Sequence, residues 1–152
     1  MSDTPLLRLR NLSVTYPSDA GEFRAVRNLS FDLGRERLGI VGESGSGKST
    51  TGRAIMGLIR PPARVRADAM MLGATDLRAQ SERSLRRLRG KRMAMVLQDP
   101  KYSLDPVMQV GQQIAETHRT HMGSSKAAAK AAALEMLHAV HIRDPERVYH
   151  MY

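Results

Sequence analysis

The sequence has no cysteine, which excludes a disulfide framework and thiolate metal sites and fits a reducing compartment. It has no apolar run of about 18 residues, so no helix of it reads as a bilayer span. The first residues, MSDTPLLRLRNLSVTYP, alternate apolar with polar and contain no continuous hydrophobic stretch. They do not read as a signal peptide, and a cytoplasmic address is the expectation. Aromatics make up only 4%, and none is interleaved with the basic run RSLRRLRGKR, Arg83 to Arg92. That run has two readings, a solvated basic helix face or a nucleic-acid patch. The missing stacking rings weigh against the second. There is no internal repeat, and the one biased tract is an alanine-rich stretch near the C-terminus.

The chain has 152 residues, 41% of them hydrophobic, enough for one ordinary domain with its own core. Lys and Arg total 24 against 15 Asp and Glu, a formal charge of +9. Such a balance suits nucleic acid, anionic lipid or phosphate-bearing ligands without choosing among them.

Alternation in LLRLRNLSVTY places Leu7 and Leu9 on one face, then Leu12, Val14 and Tyr16. The change of phase at Asn11 predicts a bulge or two short strands. PSDAGE is turn chemistry, and FRAVRNLSFDL alternates again, with Val26, Leu29, Phe31 and Leu33 inward. The expectation is an antiparallel sheet. Arg37–Val41 (RLGIV) and Met93–Leu97 (MAMVL) are short and nearly continuously apolar, as strands buried on both faces would be. KSTTGRAIMGLI reads as a helix stopped by Pro61-Pro62, and ARVRADAMML as further sheet. SERSLRRLRG is a helix capped by Ser81 and ended by Gly90. Helices then follow over about 107–121 and, after a Ser124 or Ser125 cap, through KAAAKAAALEMLHAV, with Leu134, Leu137 and Val140 as its apolar stripe. Asp144-Pro145 starts a last short helix. The chain thus divides into a β-rich part, 1–98, and a helical part, 99–152.

Between the first apolar run and the first helix lies Gly42-Glu43-Ser44-Gly45-Ser46-Gly47-Lys48-Ser49-Thr50. It matches the phosphate-loop pattern G-x-x-x-x-G-K-[ST] at every fixed position and in the strand–loop–helix context that pattern requires. Gly42, Gly45 and Gly47 let backbone amides turn inward and approach phosphate oxygens closely. The helix beginning at Lys48 points its positive end at the same anion. Lys48 supplies an ammonium for the β- and γ-phosphates, and the Ser49 hydroxyl a ligand for Mg²⁺. A glycine-serine turn with a chance lysine is the bland alternative. Hydrolysis needs more, namely a carboxylate on a neighbouring strand for Mg²⁺ and a group that positions water. Asp99 follows the second apolar run, but Gln98 intervenes, which argues against Asp99 as the metal-holding acid. Gln98 is then the polar residue at the strand exit.

Taken together, LSVTYPS, AVRNLSFDL, LGIVGESGSGKST, IMGLI and RLRGKRMAMVLQDPKYSLDPVMQVGQQIAE resemble the ATP-binding subunits of ABC transporters. The closest likeness is to the oligopeptide/dipeptide/nickel import branch. The resemblance implies an α/β, P-loop NTPase fold of the ABC nucleotide-binding type, present in part. It would comprise an antiparallel β subdomain with an incomplete P-loop core, followed by a helical subdomain. It implies ATP and Mg²⁺ as cofactors, with Gly42 through Thr50 as the phosphate site. It makes Tyr16 the aromatic that stacks on adenine, although an aromatic closing a strand reads the same way. Gln98 becomes the residue that touches Mg²⁺ and the attacking water, so that Lys48 and Gln98 are the catalytic candidates and Ser49 and Gln98 the metal ligands. Implied partners are transmembrane permease subunits and a second ATPase subunit, alike or different, with no nucleic acid expected. The implied location is cytoplasmic, peripheral on the inner face of the membrane.

The departures from the pattern are as informative. No S-G-G-Q-like signature string occurs, and the acidic strand, its glutamate and the switch histidine are not found. The resemblance therefore implies an N-terminal portion that stops before the signature and is inactive alone. Arg37 stands where Thr is frequent and Asp105 where Asn is usual. His118/His121 and His138/His141 could be read as metal pairs, but solvated helix faces are the expectation without a third ligand. Three functions remain in order: ATP-binding subunit of an importer of peptides or a metal such as nickel, non-catalytic nucleotide-binding fragment, and nucleic-acid-binding NTPase.

Overall fold

The structure, a computed structural model, describes residues 4–19, 21–98 and 103–152. Asp99 lies outside them. The chain forms two compact units, Met1–Arg89 and Gly90–Tyr152.

The first unit is built on a long antiparallel hairpin, β1 (Leu7–Ser18) and β2 (Gly21–Leu33). β1 also pairs with β3 (Arg64–Arg66) and β4 (Ala69–Leu72), and β4 pairs with β5 (Thr75–Asp76). The expected change of phase in β1 is a bulge. Leu9 lies opposite Phe31 and Leu12 opposite Leu29, so β1 carries one extra residue. Asn11 absorbs it with φ 52, a left-handed conformation that asparagine tolerates. Its backbone amide donates to Ser30 Oγ at 2.8 Å. The spacing from Val26 to Leu29 is likewise not a true alternation. Asn28, with φ 47, takes up the step in β2, and its amide donates to Ser13 Oγ at 3.0 Å. These bulges keep Leu9, Leu12 and Val14 on the inner face, all 0% exposed.

Helix α1 (Lys48–Ile55) covers that face with Thr51 and Ala54, both buried. It ends earlier than the prolines predict. Met56 is its C-cap and Gly57 follows with φ 65, so a left-handed glycine terminates it. A short 3-10 turn, Leu77–Ala79, is capped by the Asp76 side chain. Helix α2 (Glu82–Leu88) begins at Ser81, whose hydroxyl accepts from the Ser84 amide as expected. It stops at Arg89, one residue before Gly90.

Two expectations fail. Arg37–Val41 is not a strand, and Val41 is 96% exposed. Met93–Leu97 is not one either, with Met93 an isolated bridge residue and Val96 93% exposed. A strand buried on both faces exists only when neighbours pair its edges and helices cover both sides. No described strand pairs with either segment.

The second unit is helical: α3 (Val110–Met122), α4 (Lys126–Ala139) and α5 (Pro145–Tyr149). Its core is Ala115, Ala129, Ala133, Leu137 and Tyr149. Small residues let the helices approach closely. A Cβ on Gly111 would collide with the Tyr149 ring. Of the apolar stripe expected on α4, Leu137 is in this core and Leu134 packs against it, whereas Val140 is 61% exposed, and Ala129 and Ala133 are buried beside them. Ser125, not Ser124, caps α4. Gly123 ends α3 with φ 65, and Asp144 with Pro145 starts α5 as the sequence predicts.

Candidate functional site

The glycine-rich loop is an arc wound around one ammonium. Lys48 Nζ donates to the Gly42 carbonyl at 2.7 Å, the Glu43 carbonyl at 2.6 Å and Ser46 Oγ at 3.3 Å. An ammonium has three donors, and all three serve the loop. The Ser46 amide closes a turn onto the Glu43 carbonyl at 3.2 Å. Gly45 and Gly47 have φ 82 and 93, conformations in which a side chain would be strained. At Gly42 a Cβ would lie 2.7 Å from Ser46 Oγ. The loop's glycines are thus required by its curvature.

Gly47 is also the N-cap of α1, without a side-chain cap. The first-turn amides of α1 therefore keep no side-chain acceptor, the arrangement that suits an anion. Ser49 is exposed on this first turn and Thr50 is half-buried. A Cβ on Gly47 would collide with the Ala25 carbonyl of β2 and sit 3.2 Å from Val26 Cγ2. The loop therefore rests directly on β2. Thr51 braces it from inside, its Oγ1 donating to the Gly47 carbonyl at 3.0 Å and its amide to the same oxygen at 2.8 Å. The first unit also has a cleft of about 1060 Å³, lined by Arg24, Arg27, Arg64 and Arg66 among others. None of the residues 42–50 lines it.

The other predicted residues are placed as follows. Tyr16 is half-buried on β1 opposite Phe23. It lies two residues beyond Val14, hence on the same face, and Val14 is the partner of the Val26 that Gly47 abuts. Gln98 belongs to the second unit and is exposed, outside any helix or strand. His118 Nδ1 lies 2.8 Å from Ser124 Oγ. His138 is exposed near the end of α4, and exposed His141 has φ 57 beyond it.

Sequence reasoning missed two residues at the loop, Thr51 and Ala25, and one at the far end of α1, Arg89. Thr51 is four positions after Gly47, a spacing that could have flagged it as a back-bonding hydroxyl. Ala25 contributes a carbonyl, which no sequence signal marks. Arg89 sits in the run read as a solvated face, yet its guanidinium donates to the carbonyls of Met56 and Gly57 and to Glu82. Those bonds from Arg89 hold the Glu82 carboxyl below the usual range.

A family model described as ABC transporter matches residues 26–151. The chain is 45% identical over 148 residues to a dipeptide transport ATP-binding protein of Haemophilus influenzae, covering 97% of this chain and 45% of that protein. It is 43% identical over 146 residues to an oligopeptide transport ATP-binding protein of Bacillus subtilis, covering 95% and 41%. It is 42% identical over 154 residues to a glutathione import ATP-binding protein of Shigella flexneri serotype 5b, covering 97% and 25%. The chain spans less than half the length of each of these relatives.

Proposed function

We propose, since this chain belongs to the ABC transporter family, that it is the nucleotide-binding part of the ATP-binding subunit of a peptide importer. The observation that carries this is the loop Gly42–Thr50. Its positive-φ glycines, the Lys48 ammonium held against the loop carbonyls and the uncapped first turn of α1 all belong to this one short segment. In this reading the loop amides and Lys48 hold the nucleotide phosphates, Lys48 exchanging its carbonyl partners for phosphate oxygens. Ser49 and Gln98 serve Mg²⁺, which would neutralise charge between the β- and γ-phosphates. Tyr16 stacks on the adenine, and Gln98 also faces the attacking water. The functional division is at 98/99, so that Gln98 closes the nucleotide-binding part.

The names of the relatives, which speak of dipeptide, oligopeptide and glutathione transport, favour a peptide cargo over nickel. Permease subunits and a second ATPase subunit are the proposed partners, at the inner face of the membrane. No helix among the described residues is long and apolar enough to cross it. The chain alone is proposed to bind Mg-ATP without turning it over, because no S-G-G-Q-like string is present. Nucleotide titration of the wild-type chain and Lys48→Ala tests the site. Loss of one charge-assisted contact should weaken binding at least about tenfold. Equal affinity for the two would sink the assignment. Turnover of ATP by the chain, abolished in Lys48→Ala, would overturn the non-catalytic reading alone.

A further inference from the structure

The helix that presents Lys48 and Ser49 is held at its far end by a residue outside the loop. Arg89 Nε donates to the Met56 carbonyl at 2.8 Å and Nη2 to the Gly57 carbonyl at 3.0 Å. Met56 is the C-cap of α1, whose carbonyl has no intrahelical partner, and Gly57 is the left-handed residue that follows it. The same guanidinium donates to Glu82 Oε1 at 2.7 Å and Oε2 at 3.2 Å. Its side chain is 17% exposed against 58% for Glu82, so it is seated between the helices while the carboxylate faces solvent. Backbone shape demands the same closeness. A Cβ on Gly57 would lie 2.8 Å from Leu85 Cδ1 and 3.1 Å from Arg89 Nη2.

α1 is therefore pinned twice, at Gly47 by the β2 backbone and at Met56–Gly57 by Arg89. The helix has eight residues, about 12 Å of length, so a tilt of about 10° at one end moves the other by about 2 Å. A displacement of that size is large for groups that must meet phosphate oxygens. We propose that Arg89 is a positioning residue for the phosphate loop. It fixes the carbonyls of the C-cap Met56 and of Gly57 just beyond it, and thereby sets where Lys48, Ser49 and the first-turn amides face. Its charge also opposes the negative end of the helix dipole. The role rests on the reading of residues 42–50 as a phosphate site.

The test compares wild type with Arg89→Ala, Arg89→Lys and Glu82→Gln by three measurements. These are the Kd for a fluorescent ATP analogue with Mg²⁺, the thermal midpoint, and amide hydrogen exchange over residues 47–58. Arg89→Ala should raise Kd roughly fivefold or more and speed exchange at Gly57, Leu58 and the loop amides. Arg89→Lys keeps the charge but loses the fork, and should recover only part of the affinity. Glu82→Gln leaves both carbonyl contacts and should bind within about twofold of wild type. A folded Arg89→Ala protein with wild-type Kd overturns the proposal, whatever its midpoint. Should Arg89→Ala not fold, the same criteria apply to Arg89→Lys. Failure of the wild type to bind nucleotide refutes the phosphate reading itself. The pinning of α1 is then decided by exchange alone, faster exchange from Gly57 back to the loop supporting it and unchanged exchange overturning it.

Discussion

The β1–β2 hairpin and the segment Arg37–Val41 both read as strands, and only the hairpin is sheet. In the hairpin, Leu9, Leu12 and Val14 are 0% exposed, while Val41, the last residue of Arg37–Val41, is 96% exposed. The residues are similarly apolar. What differs is the source of the pairing partner. β2 follows β1 immediately, and its register is set by the turn and two asparagine bulges. A strand of the parallel kind must find its neighbours across long connections, and no described strand supplies one for Arg37–Val41. Hydrophobicity nominates a strand, and a reachable partner makes one.

The largest effect that sharpens this contrast should come from Leu12→Ala. Truncating a fully buried side chain on β1 should cost about 2–5 kcal/mol in denaturant unfolding. A cost near zero would mean that the hairpin is not the core of its unit. Gly47→Ala comes next. The φ of 93 and the collision with the Ala25 carbonyl should destabilise by about 1–3 kcal/mol and weaken nucleotide binding as well. Retention of both properties would show that the loop does not rest on β2. In the helical unit, Ser125→Ala removes the hydroxyl that accepts from the Ala128 amide at 3.2 Å. About 1 kcal/mol of α4 stability should go with it, read by circular dichroism on heating.

A pH series tests the hairpin from its polar side. The Arg10 guanidinium, bonded to both oxygens of Asp32 at 2.8 Å, holds that carboxyl below the usual range. A depressed folded value contributes stability that is present above the ordinary aspartate range and lost as pH falls through the folded value. The midpoint difference between wild type and Asp32→Asn should therefore be widest near neutrality and close under acid. A difference that grows with acidification would contradict the pairing. The smallest effect is expected at the unpaired segment, where Val41→Ser should change stability by no more than about 0.5 kcal/mol.

Much of the site was legible because its chemistry is local. The Gly42–Thr50 loop needs glycines at positions set by its own curvature and a lysine six residues from the first, so pattern and geometry coincide. The caps at Ser81, Ser125 and Asp144 were legible for the same reason. Arg89 was not, because the carbonyls it bonds lie more than 30 residues away, at the end of another helix. The α4 stripe was legible at Leu134 and Leu137, but not the alanines beside them, because Ala129 and Ala133, weak signals of burial in a sequence, are buried where the helices meet.

By itself, then, the sequence determined the phosphate-loop pattern and the helix caps, whose partners lie within a few residues, and the antiparallel hairpin, whose strands are joined by one short turn. Tertiary structure alone decided that Arg37–Val41 and Met93–Leu97 stay out of the sheet and that Arg89 turns from the solvent onto the end of α1. Strand pairing and carbonyl capping at long range depend on which surfaces meet in space, and no local periodicity encodes that.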